Sequence, residues 1–375
     1  MHKLQVKLFS SHPGAPIPQP KLYAVQTDSY KWFIEKGITE LFKEISPIKS
    51  HIGDIELYFQ DYYFGEPKYD IKEVYEKGIT YEAPLRANLK LVNKKTGRSK
   101  EQEVYLGDFP IMTERGTFVV NGVERTVISQ IIRSPGIYFT SNTYRGKQLF
   151  GGKIIPNRGI WLEFESDSDG FIAVKIDRHR KVAVTSLLRV FGMSDEEMIK
   201  TFGESIKVTL KEDDAKTVPE SYLEIYKRIR PGDLATADDA KRLIDTMFQD
   251  TSRYDLSGVG RFKLNQRLEM TGPESKVLET RDLTEIIKEI IRLNSDPRAQ
   301  ADDIDHLSNR RVRAVGELLQ SRMRVGFARL RRNVQDKMST VEDELLNPIT
   351  LVNPRLLTSV VQEFFSSSSV SQFMD

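Results

Sequence analysis

The sequence predicts an α+β protein, on three observations. Period-two alternation of apolar and polar residues sets in at 83, within a unit of residues 80–132, the mark of antiparallel strands half-buried in a sheet. Helical periodicity dominates from 184 to 250 and returns at 283–293. A last helical stretch, near 310–334, is rich in arginine and carries a single acid, Glu317. Strands and helices are thus segregated in runs rather than alternating as βαβ units.

In order, LYAVQTDSYKWFIEK (22–36) predicts a short amphipathic helix with Val25, Ser29, Trp32 and Phe33 on one face. Gly37 is placed to end it and Ser46-Pro47-Ile48 closes the unit. DIELYFQDYYFG (54–65) reads as a strand, with Tyr58, Phe59, Tyr62, Tyr63 and Phe64 as core rather than a stacking surface. Leu85, Ala87, Leu89 and Leu91 alternate with polar residues, KKTGRS turns, and EQEVYLGDFPIM returns. In GTFVV-NG-VERTVIS, Asn121-Gly122 suits a two-residue hairpin turn, which needs positive φ at both central positions. Residues 80–132 therefore form an antiparallel sheet unit.

Ser134-Pro135-Gly136 breaks the pattern and marks a domain boundary. Short strands with glycine-rich turns follow. FIAVKIDRHRKVAV is a strand pair carrying Lys175, Arg178, Arg180 and Lys181. Between 184 and 250 four helical patterns appear, one opened by a capping-box spacing at Ser194 and Glu197. YDLSGVGRFKLNQRL (254–268) is a transition. LTEIIKEIIRL (283–293) is a helix that Asp282 could cap, and NSDPRAQADDIDH is a loop. Beyond the arginine-rich stretch, prolines split the remainder into two short helical pieces.

The arginine-rich stretch holds eight arginines between Arg310 and Arg332 against one acid, Glu317, in a chain whose formal charge is only +2. Val315, Leu319, Met323, Phe327, Leu330 and Val334 recur every three or four residues and predict one buried helix face. An ordinary solvated face mixes signs. A single sign favours a polyanion-facing surface, because the guanidinium fork stays charged and donates two parallel hydrogen bonds to phosphate.

At 375 residues there is room for two or three domains. Cysteine is absent, which excludes disulfides, Cys-ligated zinc and a thiol nucleophile, and fits a reducing cytoplasm. No apolar run is long enough to span a membrane. Residues 1–21 read as a loose leader rather than a secretion signal. None of the five histidines pairs with another at metal-ligand spacing, and phosphate loops and a GxSxG elbow are absent. Asp302, Asp303 and Asp305 could hold Mg²⁺ as a nuclease would. The stronger reading is that they open a helix, where the dipole favours acids; a third is that one of them accepts from a base edge. Arg133 in the SPG break, Trp161 after a PNRG turn and Arg253 before YDLS would, with the arginine helix, line a basic and partly aromatic groove for nucleic acid.

LYAVQTDSYKWFIE, GITYEAPL, GTFVVNGVERTVISQIIRSPGIYF, IIPNRGIWLEFE, IDRHRKVAV, RYDLSGVGRFKLN, DDIDHLSNRRVRAVGELLQ and EFFSSSSVSQFMD closely resemble the N-terminal part of the bacterial DNA-dependent RNA polymerase β subunit, collinearly from residue 22 to the last. The resemblance implies a fragment of a longer subunit. It implies a mixed protrusion domain, residues 22–131 and 302–375, interrupted by an inserted α+β lobe domain, residues 132–301. It carries Arg133, Trp161, Ile304, Asp305 and Arg310 onto a pocket for an unpaired non-template guanine. Arg178, Arg180 and Arg253 match positions lining the downstream DNA channel. Ile128, Gln130, Gln372, Phe373 and Asp375 match a wall facing the RNA, which is also the rifamycin pocket. Ser366 and Ser369 depart from the glycine and glutamine usual in that wall. The family's catalytic Mg²⁺ belongs to the partner β′ subunit, so no cofactor and no catalytic residue is expected in this chain. The implied partners are double- and single-stranded DNA, nascent RNA, the β′, α and ω subunits and sigma factor. A stand-alone, non-enzymatic DNA-binding protein is the alternative.

Overall fold

The computed structural model describes residues 21–177, 179–272, 274–341 and 345–374. The chain divides into two compact units, one made of residues 1–130 and 313–375, the other of residues 131–312. The mixed α+β class holds, with helices beside antiparallel sheets.

The first unit opens with α1 (Ala24–Trp32), a π-helical turn (Phe33–Gly37) and α2 (Ile38–Ile45), which run on without a break. Gly37 was expected to end the helix and does not. It is buried, and its carbonyl accepts a hydrogen bond from Gln320 Nε2 at 3.1 Å, so the extra backbone acceptor of the π turn is satisfied from elsewhere. Val25, expected on the buried face, is 55% exposed. Strands β1 (Ile48–Lys49) and β2 (Ile55–Phe64), helix α3 (Ile71–Lys77), and strands β3 (Glu82–Asn93) and β4 (Ser99–Pro110) follow. The four strands form one antiparallel sheet in the order β1-β2-β3-β4. Leu85, Ala87, Leu89 and Leu91 all point into its core, as the alternation required. Of the aromatic run, Phe59 is buried whereas Tyr63 is exposed and donates to Glu103.

Strands β5 (Phe118–Val120) and β6 (Val123–Val127) form the expected hairpin, with φ of 52° at Asn121 and 75° at Gly122. The hairpin does not extend the β1–β4 sheet, as a single 80–132 sheet unit would require. It belongs to a separate three-stranded sheet.

The second unit begins with β7 (Gln130–Arg133), β8 (Gly136–Tyr144), β9 (Lys147–Ile155), β10 (Leu162–Ser166), β11 (Ile172–Ile176) and β12 (Lys181–Ala183). The last five make an antiparallel meander in the order β12-β11-β10-β9-β8. Helices α4 (Val184–Val190), α5 (Asp195–Phe202), α6 (Lys207–Glu212), α7 (Val218–Ile229), α8 (Ala237–Phe248), α9 (Ser257–Arg267) and α10 (Thr280–Ser295) complete it, and their apolar faces share one core with the sheet. The Ser194–Glu197 capping box is present at α5. Asp282 caps α10 from within the first turn, as the acceptor of a capping box with Glu279 at the N-cap. It lies three residues inside, accepts from the Glu279 N–H at 2.9 Å, and is fully buried against Arg261 at 2.7 Å. Helix α9 was not foreseen. Its apolar residues are few, and it is held by Arg261, which also donates to the carbonyls of Ser275 and Val277.

Strand β13 (Arg310–Arg313) pairs with β7. The chain then returns to the first unit as α11 (Val315–Thr340), α12 (Pro348–Leu351), α13 (Arg355–Ser366) and β14 (Ser371–Phe373). The predicted stripe Val315, Leu319, Met323, Phe327, Leu330 and Val334 is buried throughout, and Phe327 meets Phe42 and Phe59 edge-on. Gly316 lets the backbones of α11 and α1 touch: a Cβ there would lie 2.1 Å from the Ser29 carbonyl oxygen. Strand β14 closes the small sheet by pairing with β6.

The division between units departs from the sequence expectation by one residue at the first crossing and by eleven at the second. Residues 302–312 lie with the inserted unit, so the second crossing falls at 312/313 rather than at 301/302. Asp302 is tied to β8 through both backbone and side chain, and the Asn309 carbonyl accepts from the Ser134 N–H at 2.9 Å.

Candidate nucleic-acid interface

Arg133 and Arg310 sit on the two paired strands β7 and β13, and the Ser134–Asn309 hydrogen bond brings their neighbourhoods together. Both are exposed. Below them the Tyr138 hydroxyl donates to the Ser134 carbonyl at 2.6 Å and reaches the Asn309 carbonyl at 3.3 Å. Burial raises the Tyr138 pKa, against a smaller opposing effect of the Arg133 charge, so the hydroxyl stays a donor.

The DDID segment is a braced loop and not a helix start. Helix α11 begins only at Val315, and Arg310–Arg313 are extended. The Asp305 N–H donates to Asp303 Oδ1 at 3.0 Å, and Asn309 Nδ2 donates to the Asp303 carbonyl at 2.7 Å. A turn of 3₁₀ helix, Leu307–Asn309, is capped by His306, whose Nδ1 accepts from the Ser308 N–H at 3.2 Å. Asp305 projects exposed from this frame and Ile304 is half-buried. Asp302, by contrast, is spent on Arg267 and on the Phe139 N–H. That pairing argues against a nuclease-like metal site there; among the described residues no cluster of three or more His, Asp or Glu could hold a metal ion.

Trp161 is half-buried at the end of the loop joining β9 to β10. Its carbonyl accepts from the Asp177 N–H at 3.0 Å, and Lys153 Nζ lies 6.0 Å from its ring centroid. Arg158 and Asp255 exchange backbone hydrogen bonds of 3.0 and 2.8 Å. Gly159 has φ of 118°, and a Cβ would meet Tyr254 at 2.8 Å and the Arg253 carbonyl at 3.0 Å. That close approach sets exposed Arg253 against the PNRG turn. Asn157 Oδ1 accepts from Arg311 at 3.5 Å, which links the same turn to β13. All five residues of the expected guanine pocket thus lie in the second unit, Arg133 and Arg310 on one ribbon and Ile304 and Asp305 on the loop that leads into it.

Arg180 lies elsewhere on that unit. With His179, Lys227 and Arg228 it lines a cleft of about 510 Å³, where Glu224 is neutralised by Arg228 at 2.7 Å. Arg178 lies outside the described residues, as do Asp375 and residues 1–20 of the leader.

The described residues of the expected wall, Ile128, Gln130, Gln372 and Phe373, lie on or beside the small sheet of the first unit. Gln372 faces Thr126 and Phe373 faces Arg125 across the β6–β14 pair. The Ile128 N–H donates to the Val370 carbonyl at 2.8 Å, and the Gln130 side chain folds back onto the Ile128 carbonyl at 3.1 Å. Ile128 and Phe373 are exposed. Sequence reasoning missed Arg125, whose guanidinium lies 4.1 Å from the Phe373 ring centroid and donates to the Ser366 carbonyl. Its only sequence signal was a basic residue opposite an aromatic one, visible once the strands are paired.

The arginine helix is less uniformly outward-facing than its composition suggested. Arg324 makes a two-pronged pair with Glu44, at 2.7 and 3.1 Å, and Arg331 donates to the Glu44 carbonyl. These two arginines fasten α11 to α2. Arg322, Arg329 and Arg332 remain exposed.

Residues 133–313 match the family described as RNA polymerase Rpb2, domain 2. Over 374 residues, 98% of its length, the chain is 45% identical to the DNA-directed RNA polymerase subunit beta of Syntrophomonas wolfei. The subunits of the same name from Gloeobacter violaceus and a Synechocystis strain are 43% and 42% identical over 95% of the chain. The chain belongs to the bacterial RNA polymerase β-subunit family, and it spans about a third of the length of these relatives, between 32% and 34%.

Proposed function

We propose that the chain forms part of the DNA cleft of a DNA-directed RNA polymerase and shapes a site at which another subunit, β′, holds the catalytic Mg²⁺. The observation that carries this reading is 45% identity over 98% of the chain to a polymerase β subunit, joined to exposed Arg133, Arg310 and Asp305 on one braced ribbon and loop. Arg133 and Arg310 hold the phosphates of the separated non-template strand. Asp305 accepts from the donor edge of an unpaired guanine, and Trp161 offers a ring for stacking. Arg253 and Arg180, with Arg178, extend the basic surface along downstream duplex. Ile128, Gln130, Gln372, Phe373 and Asp375 form the RNA-facing wall. The partners are DNA, nascent RNA, the β′, α and ω subunits and sigma factor, in the cytoplasm. The protrusion comprises the first unit and the lobe the second.

The test is to replace Arg310 or Arg133 by alanine in the full-length subunit and measure open-complex lifetime against salt. Each loss shortens the lifetime and lowers the salt slope by about one phosphate contact. Unchanged lifetime and salt slope in both variants refute the reading.

A further inference from the structure

We infer that Arg267, acting through Asp302, is a positioning residue for the guanine-reading loop. This rests on the reading above and deepens it. Arg267 ends α9, a helix with no residue in the proposed pocket. Its Nε lies 3.1 and 3.3 Å from the two carboxylate oxygens of Asp302, and its Nη1 lies 3.1 Å from Glu289 of α10. The same guanidinium stacks on Phe139 of β8, 4.6 Å from the ring centroid. Asp302 in turn accepts from the Phe139 N–H at 2.8 Å and donates its own N–H to the Phe139 carbonyl at 2.9 Å. One arginine therefore ties sheet, helix and loop at a single residue.

That residue is the upstream anchor of the loop. The downstream anchor is Asn309, bonded to Ser134. Between the two anchors the chain exposes Asp305, and Arg310 follows directly after the second. An exposed loop with both ends fixed and its own turns closed presents its side chains in one arrangement. Base discrimination by a carboxylate needs such preorganisation, since a pair of hydrogen bonds is lost by a displacement of about 1 Å. Glu289 is also held by Arg292 at 2.7 Å, so the support for Arg267 is itself supported.

The test uses the assembled polymerase carrying Arg267→Met, which keeps an apolar stem over Phe139 but removes the fork. Arg267→Lys, Asp302→Asn and Asp305→Ala are made alongside. Complex lifetimes are measured on two promoters that differ only in guanine or adenine at the non-template position. In Arg267→Met and Asp302→Asn the guanine-to-adenine lifetime ratio falls by about five-fold or more, while the adenine lifetime stays within about two-fold. Arg267→Lys recovers part of the ratio. If Arg267→Met does not assemble, Asp302→Asn carries the same reading. An unchanged ratio in Arg267→Met and Asp302→Asn, with the ratio lost in Asp305→Ala, overturns the inference. Lifetimes that fall in parallel on both promoters overturn it too, because they report only general weakening. If Asp305→Ala leaves the ratio intact, the pocket assignment itself fails.

Discussion

Replacing Phe327 by alanine tests whether two stretches separated by the whole inserted unit share one core. Phe327 is 2% exposed at the middle of α11. Its ring meets Phe42 of α2 at 5.8 Å and Phe59 of β2 at 6.0 Å between centroids, both nearly perpendicular. Removing a buried phenyl ring costs about 3–5 kcal/mol, the cavity included, and the edge-to-face pairs place this residue toward the upper end. The assay is hydrogen exchange of the full chain followed by mass spectrometry. Amides that exchange through opening of the first unit should speed up by about 100- to 4,000-fold, at 1.4 kcal/mol per tenfold. The faster peptides should come from α2, β2, β3 and α11 together, although the chain between them is long. Peptides from β8–β11 and α10 should keep their protection. Acceleration confined to α11, or spread equally over residues 131–312, would refute the discontinuous core.

Two further outcomes follow from the geometry. Gly316→Ala forces α1 and α11 apart, because the new methyl meets backbone rather than a movable side chain. It should lower the melting temperature of the first unit far more than Ser29→Ala, which removes only the 2.9 Å bond from the Gly316 N–H and should cost about 0.5–1.5 kcal/mol. For Asp54, hydrogen bonds from Lys95 and Ser50 hold the carboxyl down at about 2. The folded state thus binds this proton less readily than the unfolded chain, whose aspartates titrate near 3.9. Its stabilising effect is complete above about pH 4 and disappears as pH falls toward 2. Asp54→Asn should therefore flatten the acid limb of a stability-versus-pH curve in that window, and an unaltered limb would count against the pairing.

What was legible in the sequence was local. Alternation at Leu85–Leu91, the Asn121-Gly122 turn, the Ser194 box and the stripe along α11 each follow from spacing within a dozen residues. What escaped depends on distant partners. Gly37 was read as a stop because glycine commonly ends helices, but here Gln320 supplies an acceptor's partner from far along the chain. Helix α9 has little apolar periodicity, and the buried Arg261–Asp282 pair that secures it spans two helices. The pairing of β14 with β6 has no local signature at all. At the candidate site, Arg133, Asp305 and Arg310 stood out by charge and by family resemblance. The anchoring beneath them did not: Asp302 stood out only as one acid of an acidic run, and Arg267, an arginine in a polar helix, looks like an ordinary surface residue.

The order in which the β1–β4 sheet meets its covering helix follows from the connectivity. A polypeptide leaving the ribosome delivers that sheet early, yet α11, whose Phe327 and Leu330 fill the inner face, comes only after every residue of the inserted unit has been made. The inserted unit can close on itself with what has already emerged. Until then only α1 and α2 are there to cover its greasy side, and it is at that stage of synthesis that the nascent subunit is most in need of a chaperone's shelter.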